Sequence, residues 1–95
     1  MVILEISVVP VGVGVSVSNY IAECVKIVQQ SNLAYQLTPM GTIVEGEVEA
    51  LFDIALKLHK SPFFVGAKRV VTNIKLDERI DKKVKKKTKN FIKIY

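Results

Sequence analysis

Eight residues in the middle of the chain have the types and spacing best suited to binding chemistry. The stretch Pro39-Met40-Gly41-Thr42-Ile43-Val44-Glu45-Gly46 combines a rigid turn, a hydroxyl, a carboxylate and two glycines. Such groups can form one wall of a polar pocket, because the hydroxyl donates or accepts hydrogen bonds and the carboxylate accepts them. The same residues would also suit a plain hairpin turn followed by the start of a helix, and both interpretations stay open at this point.

Other residues that could take part in catalysis or metal binding have simpler structural explanations. Gly12-Val13-Gly14 lies between a predicted strand and a predicted helix, but Val17 occupies the position of the third glycine in a dinucleotide-binding G-x-G-x-x-G pattern. His59 is the only histidine and Cys24 the only cysteine, and their separation indicates neither a zinc site nor a nucleophile pair. We find no set of nucleophile, base and orienting residue, so we expect a protein that is not an enzyme and needs no metal or cofactor.

The densest cluster of charge lies near the C-terminus. Residues 1–74 hold five Lys or Arg and six Asp or Glu, whereas residues 75–95 hold nine and three. Six lysines between Lys82 and Lys89 could contact nucleic-acid phosphates, but no aromatic residue lies among them to stack on a base. We therefore interpret the run as a solvated basic segment and keep contact with nucleic acid or an acidic protein as the alternative.

Hydrophobic periodicity predicts the order strand, helix, strand, strand, helix, strand and a final helix. The predicted strands span 2–9, 33–37, 42–45 and 69–76, and the predicted helices span about 16–30, 46–59 and 78–89. Ser61 to Ala67 is predicted to be a loop, and Asp77 is predicted to cap the last helix.

This order predicts an α+β fold, the ferredoxin-like βαββαβ sandwich. Two right-handed strand–helix–strand halves give a four-stranded antiparallel sheet with two helices on one face. The opposite face, which includes Glu5 and Ser7, is expected to be bare. We assign residues 1–81 to this domain and residues 82–95 to a basic C-terminal helix or tail that extends it.

The composition predicts self-association and a cytoplasmic location. Hydrophobic residues make up 49% of a chain of 95 residues, and a domain this small buries only roughly 60–65% of its unfolded surface. The remaining apolar residues are expected at subunit contacts. A single cysteine allows no internal disulfide. The apolar run 2–9 has no basic segment before it and is too short to span a bilayer, so we expect no export signal and no membrane association.

The central stretch also resembles the signature of a known family. Pro39-Met40-Gly41-Thr42, then Glu45-Gly46 and Glu49, is similar to the motif of the small thiamine-binding proteins of the YkoF-like superfamily, long described as conserved proteins of unknown function. The resemblance covers nearly the whole chain. It continues in Val8-Val9-Pro10, Arg69-Val70 and Ile74-Lys75-Leu76-Asp77-Glu78-Arg79-Ile80-Asp81. The closure of the first helix, Ser31-Asn32-Leu33, is a mild change from the family pattern, and the lysine-rich tail departs from it.

This resemblance implies the same ferredoxin-like fold, homodimers formed through their sheets, and homotetramers made by pairing these dimers. It also implies binding of thiamine or its hydroxymethylpyrimidine moiety near a subunit interface. The aminopyrimidine needs hydrogen-bond partners, and the cationic thiazolium favours carboxylates and aromatic faces. The predicted ligand-binding residues are Ser7, Thr42, Glu45 and Asn73 for hydrogen bonds and Tyr35 or Phe64 for stacking.

Three functions therefore compete. The first is a non-catalytic binding protein for thiamine or a related pyrimidine, as a carrier, buffer or sensor. The second is an oligomeric scaffold whose lysine-rich C-terminus contacts nucleic acid or an acidic protein partner. The third is an enzyme that acts on a thiamine precursor, which the absence of acid–base machinery in the sequence disfavours.

Overall fold

The computed structural model describes residues 2–12 and 18–81 and contains six elements in these ranges. They are β1 (Val2–Pro10), α1 (Ser18–Gln30), β2 (Ala34–Thr38), β3 (Gly41–Gly46), α2 (Val48–Phe64) and β4 (Val70–Glu78). The strands form one sheet in the order β2-β3-β1-β4, and each neighbouring pair is antiparallel. This arrangement confirms the predicted α+β ferredoxin-like fold. The predicted final helix beyond residue 81 lies outside the described residues.

The alternation of apolar residues along β1 decides which face of the sheet is buried. Val2, Leu4 and Ile6 are buried, and they form one core cluster with Val28 of α1 and four residues of α2. The α2 contribution is Leu51, Ile54, Ala55 and Leu58. Because successive side chains of a strand point to opposite faces, Ile3, Glu5 and Ser7 lie on the other face. No described helix covers that face, which we call the open face.

The second helix is longer than predicted. α2 continues through Pro62 to Phe64, so the prediction of a loop starting at Ser61 was wrong. Proline has no N–H to donate to the carbonyl of Leu58, four residues earlier, and therefore usually breaks a helix. Here the Ser61 hydroxyl donates to that carbonyl oxygen at 2.9 Å. Ser61 and Pro62 are also buried, so tertiary packing and one side-chain hydrogen bond offset the missing backbone bond.

The last strand also runs further than predicted. β4 continues to Glu78, and Asp77 lies opposite Ile3 instead of capping a helix. The reason is that β1 begins at Val2 and provides a backbone partner as far as Glu78. Beyond the strand, Arg79 Nε donates to Asp81 Oδ1 at 3.1 Å, and this pairing lowers the pKa of the exposed Asp81 carboxyl.

A side-chain hydrogen bond ties α2 to the outer strand. His59 Nδ1 lies 2.7 Å from Thr72 Oγ1 of β4, and the His59 ring meets the Phe63 ring edge to face, with centroids 5.9 Å apart.

Within the described residues, neither helix has the length and apolar character needed to cross a membrane.

Candidate functional site

The signature stretch forms a tight turn followed by β3, which is an inner strand of the sheet. The Thr38 hydroxyl accepts hydrogen bonds from the backbone N–H of Met40 and of Gly41, at 3.2 and 3.1 Å. It also donates to the Gly41 carbonyl oxygen at 2.9 Å. These bonds hold the turn in one conformation, so the start of β3 is fixed against β1.

Gly41 lies where the turn comes closest to β1, and this position predicts the effect of adding a methyl group. A Cβ at Gly41 would lie 2.7 Å from the Ile6 carbonyl oxygen, which is a backbone atom that cannot rotate away. We expect Gly41→Ala to lower the free energy of unfolding by about 1–3 kcal/mol, the usual cost of overpacking. Urea denaturation measures the change.

Gly46→Ala is the matched control for that substitution. The Cβ it would add meets the end of the Leu33 side chain, at 3.1 Å, which is flexible enough to move aside. Its effect on unfolding should therefore be the smaller of the two. An equal or larger loss for Gly46→Ala would show that the close approach of Gly41 to β1 does not constrain the hairpin.

The six predicted ligand-binding residues do not form one cluster. Thr42 lies opposite the buried Ile6, and Tyr35 lies opposite the buried Val44, so both are on the helix side of the sheet. Phe64 is the last residue of α2 and is 82% exposed. These three side chains are therefore separated from the open face by the sheet itself or by the length of α2.

The other three predicted residues share the open face. Ser7 and Asn73 are direct cross-strand partners on β1 and β4. Glu45 lies on the same face, between Ile3 of β1 and Ala34 of β2. Ser7 and Asn73 are therefore neighbours, Glu45 lies on the same face about four residues further along the strands, and Thr42 lies on the opposite face.

Glu45 is the most unusual polar residue of the open face. Its side chain is only 2% exposed, although it lies on a face without a described helix. Its Oε1 atom is buried and has no hydrogen-bond partner within the described part of the chain. A buried acceptor without a donor typically costs about 1–3 kcal/mol, and more when it is charged. This oxygen can accept a hydrogen bond from a bound molecule only when the side chains that cover it move aside.

The centre of the open face is largely polar, and one of its ends is apolar. Glu5 lies opposite Lys75 of β4 and opposite Ile43 of β3, which in turn lies opposite Gln36 of β2. Exposed Val9 and its cross-strand partner Val71 form one end of the face. The face thus combines hydrogen-bonding groups of both kinds with apolar positions that a second surface could cover.

A concavity lies on the helix side of the sheet. It encloses about 510 Å³ between the end of β1, the turn after β2 and the first half of α1. It exists because β3 pairs with β1 only as far as Ile6, whereas β4 follows β1 to Pro10. Two predicted ligand-binding residues, Ser7 and Thr42, line this cavity, together with Tyr20 and Cys24 of α1. We call it the helix-side cavity.

The sequence did not indicate that α1 contributes to a cavity. Helical spacing predicts only that a residue such as Cys24 faces the sheet, and both a filled core and a cavity wall show that spacing. Cys24 Sγ lies 3.6 Å from Ser61 Oγ, and both residues belong to the helix layer. Across residues 2–12 and 18–81, no three His, Cys, Asp or Glu side chains are grouped so that they could hold a metal ion.

Comparison with known proteins gives matches along most of the chain. A family model described as thiamine-binding protein matches residues 4–91. The UPF0045 protein YqgV of Bacillus subtilis is 42% identical over 88 residues, which cover 87% of this chain and 85% of that protein. A UPF0045 protein of Staphylococcus xylosus is 46% identical over 87 residues, covering 86% of this chain and 81% of the relative.

Solved structures support the same assignment. A hypothetical protein of Methanocaldococcus jannaschii superposes with a TM-score of 0.76 at 33% identity, covering 86% of this chain and 84% of that one. A candidate thiamine biosynthesis/salvage protein of Thermotoga maritima superposes with a TM-score of 0.71 at 28% identity, covering 82% and 83%. From its sequence and its fold, the chain belongs to the thiamine-binding protein family, whose curated relatives carry the UPF0045 designation.

Proposed function

We propose that this protein is a non-catalytic binding protein that holds thiamine, or its hydroxymethylpyrimidine moiety, on the open face of the sheet. The observation that carries the proposal is the buried Oε1 atom of Glu45, which has no hydrogen-bond partner among the described residues. Glu45 also belongs to the stretch that resembles the family signature. The family description and the candidate role of the Thermotoga maritima relative in thiamine biosynthesis/salvage support the choice of ligand.

The chemistry of the open face suits the two rings of thiamine. The exocyclic amino group of the pyrimidine is a donor, and the Glu45 carboxylate is an acceptor only. Ser7 lies four residues along β1 from Ile3, the partner of Glu45, which corresponds to roughly 13 Å. Glu5 lies between them and offers a carboxylate to the cationic thiazolium. A ligand that uses both ends of this row is elongated, so thiamine should bind more tightly than the free pyrimidine.

The proposal includes self-association through the open face. Exposed apolar residues at one end of that face, Val9 and Val71, would be covered by a second copy, and the ligand would lie at the resulting interface. Pairing of such dimers would give the tetramer implied by the family resemblance. The proposal places the protein in the cytoplasm, without a catalytic role, cofactor or membrane contact.

A charge on the open face tests this interface. Ile43 is on β3 near the middle of the face, and Ile43→Lys would place a solvated ammonium in the contact. We expect the mass in solution, measured by light scattering, to fall to that of a smaller assembly. Leu56→Lys is the matched control, because Leu56 is 52% exposed on α2, away from the open face. Dissociation by Leu56→Lys and not by Ile43→Lys would move the interface to the helix layer.

The scaffold alternative makes a different prediction about the lysine-rich segment, residues 82–95. If the segment serves nucleic acid, binding of nucleic acid should weaken steeply with salt and disappear when residues 82–95 are deleted. If the protein binds thiamine, thermal stabilisation by the ligand should survive the deletion. At a free ligand concentration 100 times the dissociation constant, this stabilisation amounts to about 2.7 kcal/mol. A thermal-shift screen of both chains with thiamine, its phosphates and hydroxymethylpyrimidine separates the two functions.

A further inference from the structure

We infer that a cleft between the two helices binds a small zwitterion, an α-amino acid with an aliphatic side chain. The cleft has a volume of about 200 Å³ and lies between the last turn of α1 and the side of α2 that faces it. We call it the interhelix cleft. It shares no lining residue with the helix-side cavity, and the sheet separates it from Glu45 on the open face.

The size of the cleft limits the ligand. Its volume is below the roughly 300–1,000 Å³ that is typical of sites for drug-sized molecules. The end of α1 and the start of α2 bound it, and these two ends are neighbours because Leu33, after α1, approaches Gly46, before α2. The cleft therefore has room for a molecule with few heavy atoms, such as a single amino acid.

The floor of the cleft is apolar and firmly held. Ile54 of α2 is 3% exposed and belongs to the core cluster. Ile27 of α1 and Leu33, in the connection to β2, pack against that cluster, and all three residues line the cleft. An aliphatic side chain of the ligand would be removed from water on this floor, which is favourable for apolar surface.

Two opposite charges line the same cleft, one helical turn apart. Asp53 and Lys57 are both exposed residues of α2, and residues four apart lie on one side of a helix. This order of acid and base suits an ion pair, yet the two side chains form none, and neither makes a hydrogen bond to another described residue. A ligand that carries both charges can therefore direct its ammonium to Asp53 and its carboxylate to Lys57.

The end of α1 favours the same orientation. Gln30, the last residue of α1, lines the cleft, and the C-terminal end of a helix carries a partial negative charge that attracts a cation. The Ser31 hydroxyl is already engaged, because it donates to the Val28 carbonyl oxygen at 2.7 Å and accepts from the Leu33 N–H at 3.1 Å. Ser31 thus holds the wall of the cleft, and the ligand's ammonium lies between Asp53 and the end of α1.

The probe for the test is L-leucine, added to the isotope-labelled full-length protein and followed by NMR, which detects weak binding as well as tight binding. The amide signals of Ala50 and Ile54, which line the cleft, should shift and saturate. Isoamylamine has the same skeleton without the carboxylate, and isocaproate has it without the ammonium. Each should bind at least tenfold more weakly than L-leucine. No saturable shift at the cleft, or equal binding of either analogue, would overturn the assignment.

Two substitutions at exposed positions locate the probe. Asp53→Asn removes the carboxylate charge, and Lys57→Met removes the ammonium but keeps the apolar stem. Each should weaken L-leucine binding at least tenfold in protein whose NMR spectrum is that of the folded chain. Glu49→Gln and Lys60→Met are the matched controls, because both residues are exposed on α2 and neither lines the cleft. Binding that survives both cleft substitutions, or that falls equally in the controls, would reject this site.

A competition experiment separates this site from the proposed thiamine site. Saturating L-leucine should leave thiamine affinity unchanged, and Asp53→Asn should bind thiamine as the unmodified protein does, because the sheet lies between the two sites. Displacement of L-leucine by thiamine would contradict a separate amino-acid site. A protein that binds L-leucine at the cleft but does not bind thiamine would retain this inference and reject the proposed function.

Discussion

Replacing Glu45 with glutamine should weaken thiamine binding roughly 10- to 150-fold while leaving the fold intact. A hydrogen bond to a charged group contributes about 1.5–3 kcal/mol, and about 1.4 kcal/mol corresponds to a factor of ten in affinity. Glutamine keeps the shape of glutamate but loses the charge, and half of its polar end is a donor that would face the ligand's amino group. Isothermal titration calorimetry with thiamine measures the change directly.

Thr42→Val is the matched control for that substitution. Thr42 belongs to the same eight-residue stretch, but it lies opposite Ile6 on the helix side of the sheet. The change removes a hydroxyl and almost preserves the side-chain volume, so thiamine affinity should stay within a factor of two or so of the unmodified value. The reverse pattern, a loss in Thr42→Val and none in Glu45→Gln, would place thiamine on the helix side and contradict the proposed site.

Replacing Leu4 with alanine should reduce the free energy of unfolding by about 2–5 kcal/mol. Leu4 is in the middle of β1 with 0% exposure, opposite Val44 on one side and Leu76 on the other. The substitution removes buried methyl groups and leaves a cavity that the surrounding strands can close only in part. Since small domains are stable by about 5–15 kcal/mol, this loss is a large share of the total. Urea denaturation, analysed for the midpoint and the slope, tests it.

Leu56→Ala provides the comparison for Leu4→Ala. Leu56 is half exposed on the outer side of α2, so the same chemical change should alter stability by only about 0.5 kcal/mol. The contrast between the two leucines tests whether the core lies between the sheet and the helices, with the outer side of α2 facing solvent. Equal losses would mean that the outer side of α2 is buried in an assembly, and self-association through the open face would need to be reconsidered.

Local patterns were sufficient to predict the order of the six described elements but not where two of them end. The predicted loop at Ser61 rested on the rule that proline breaks helices, and the predicted helix after Asp77 rested on its suitability as a cap. Both rules describe isolated segments. In the folded chain the Ser61 hydroxyl compensates for Pro62, and β1 provides a strand partner for Asp77, so contacts from outside the segment override the local preference.

The candidate site, too, was predicted in part from local sequence and decided in part by contacts that form on folding. The signature stretch directed attention to Thr42 and Glu45, and it was correct to treat them as polar groups on one strand. Their separation of three residues places them on opposite faces once the strand forms, since side chains alternate. The adjacency of Ser7 and Asn73 could not be predicted in this way, because it depends on the register between strands that lie at opposite ends of the domain.

The amino-acid sequence by itself determined the succession of the six described strands and helices, the apolar side of β1 and the family to which the chain belongs. These properties depend on spacing within a few residues, which the chain carries whether or not it is folded. Only the tertiary structure decided that Glu45 has a buried oxygen without a partner and that β1 extends beyond its neighbour to open a cavity. Desolvation and strand register depend on groups that are far apart in the chain and come together only on folding.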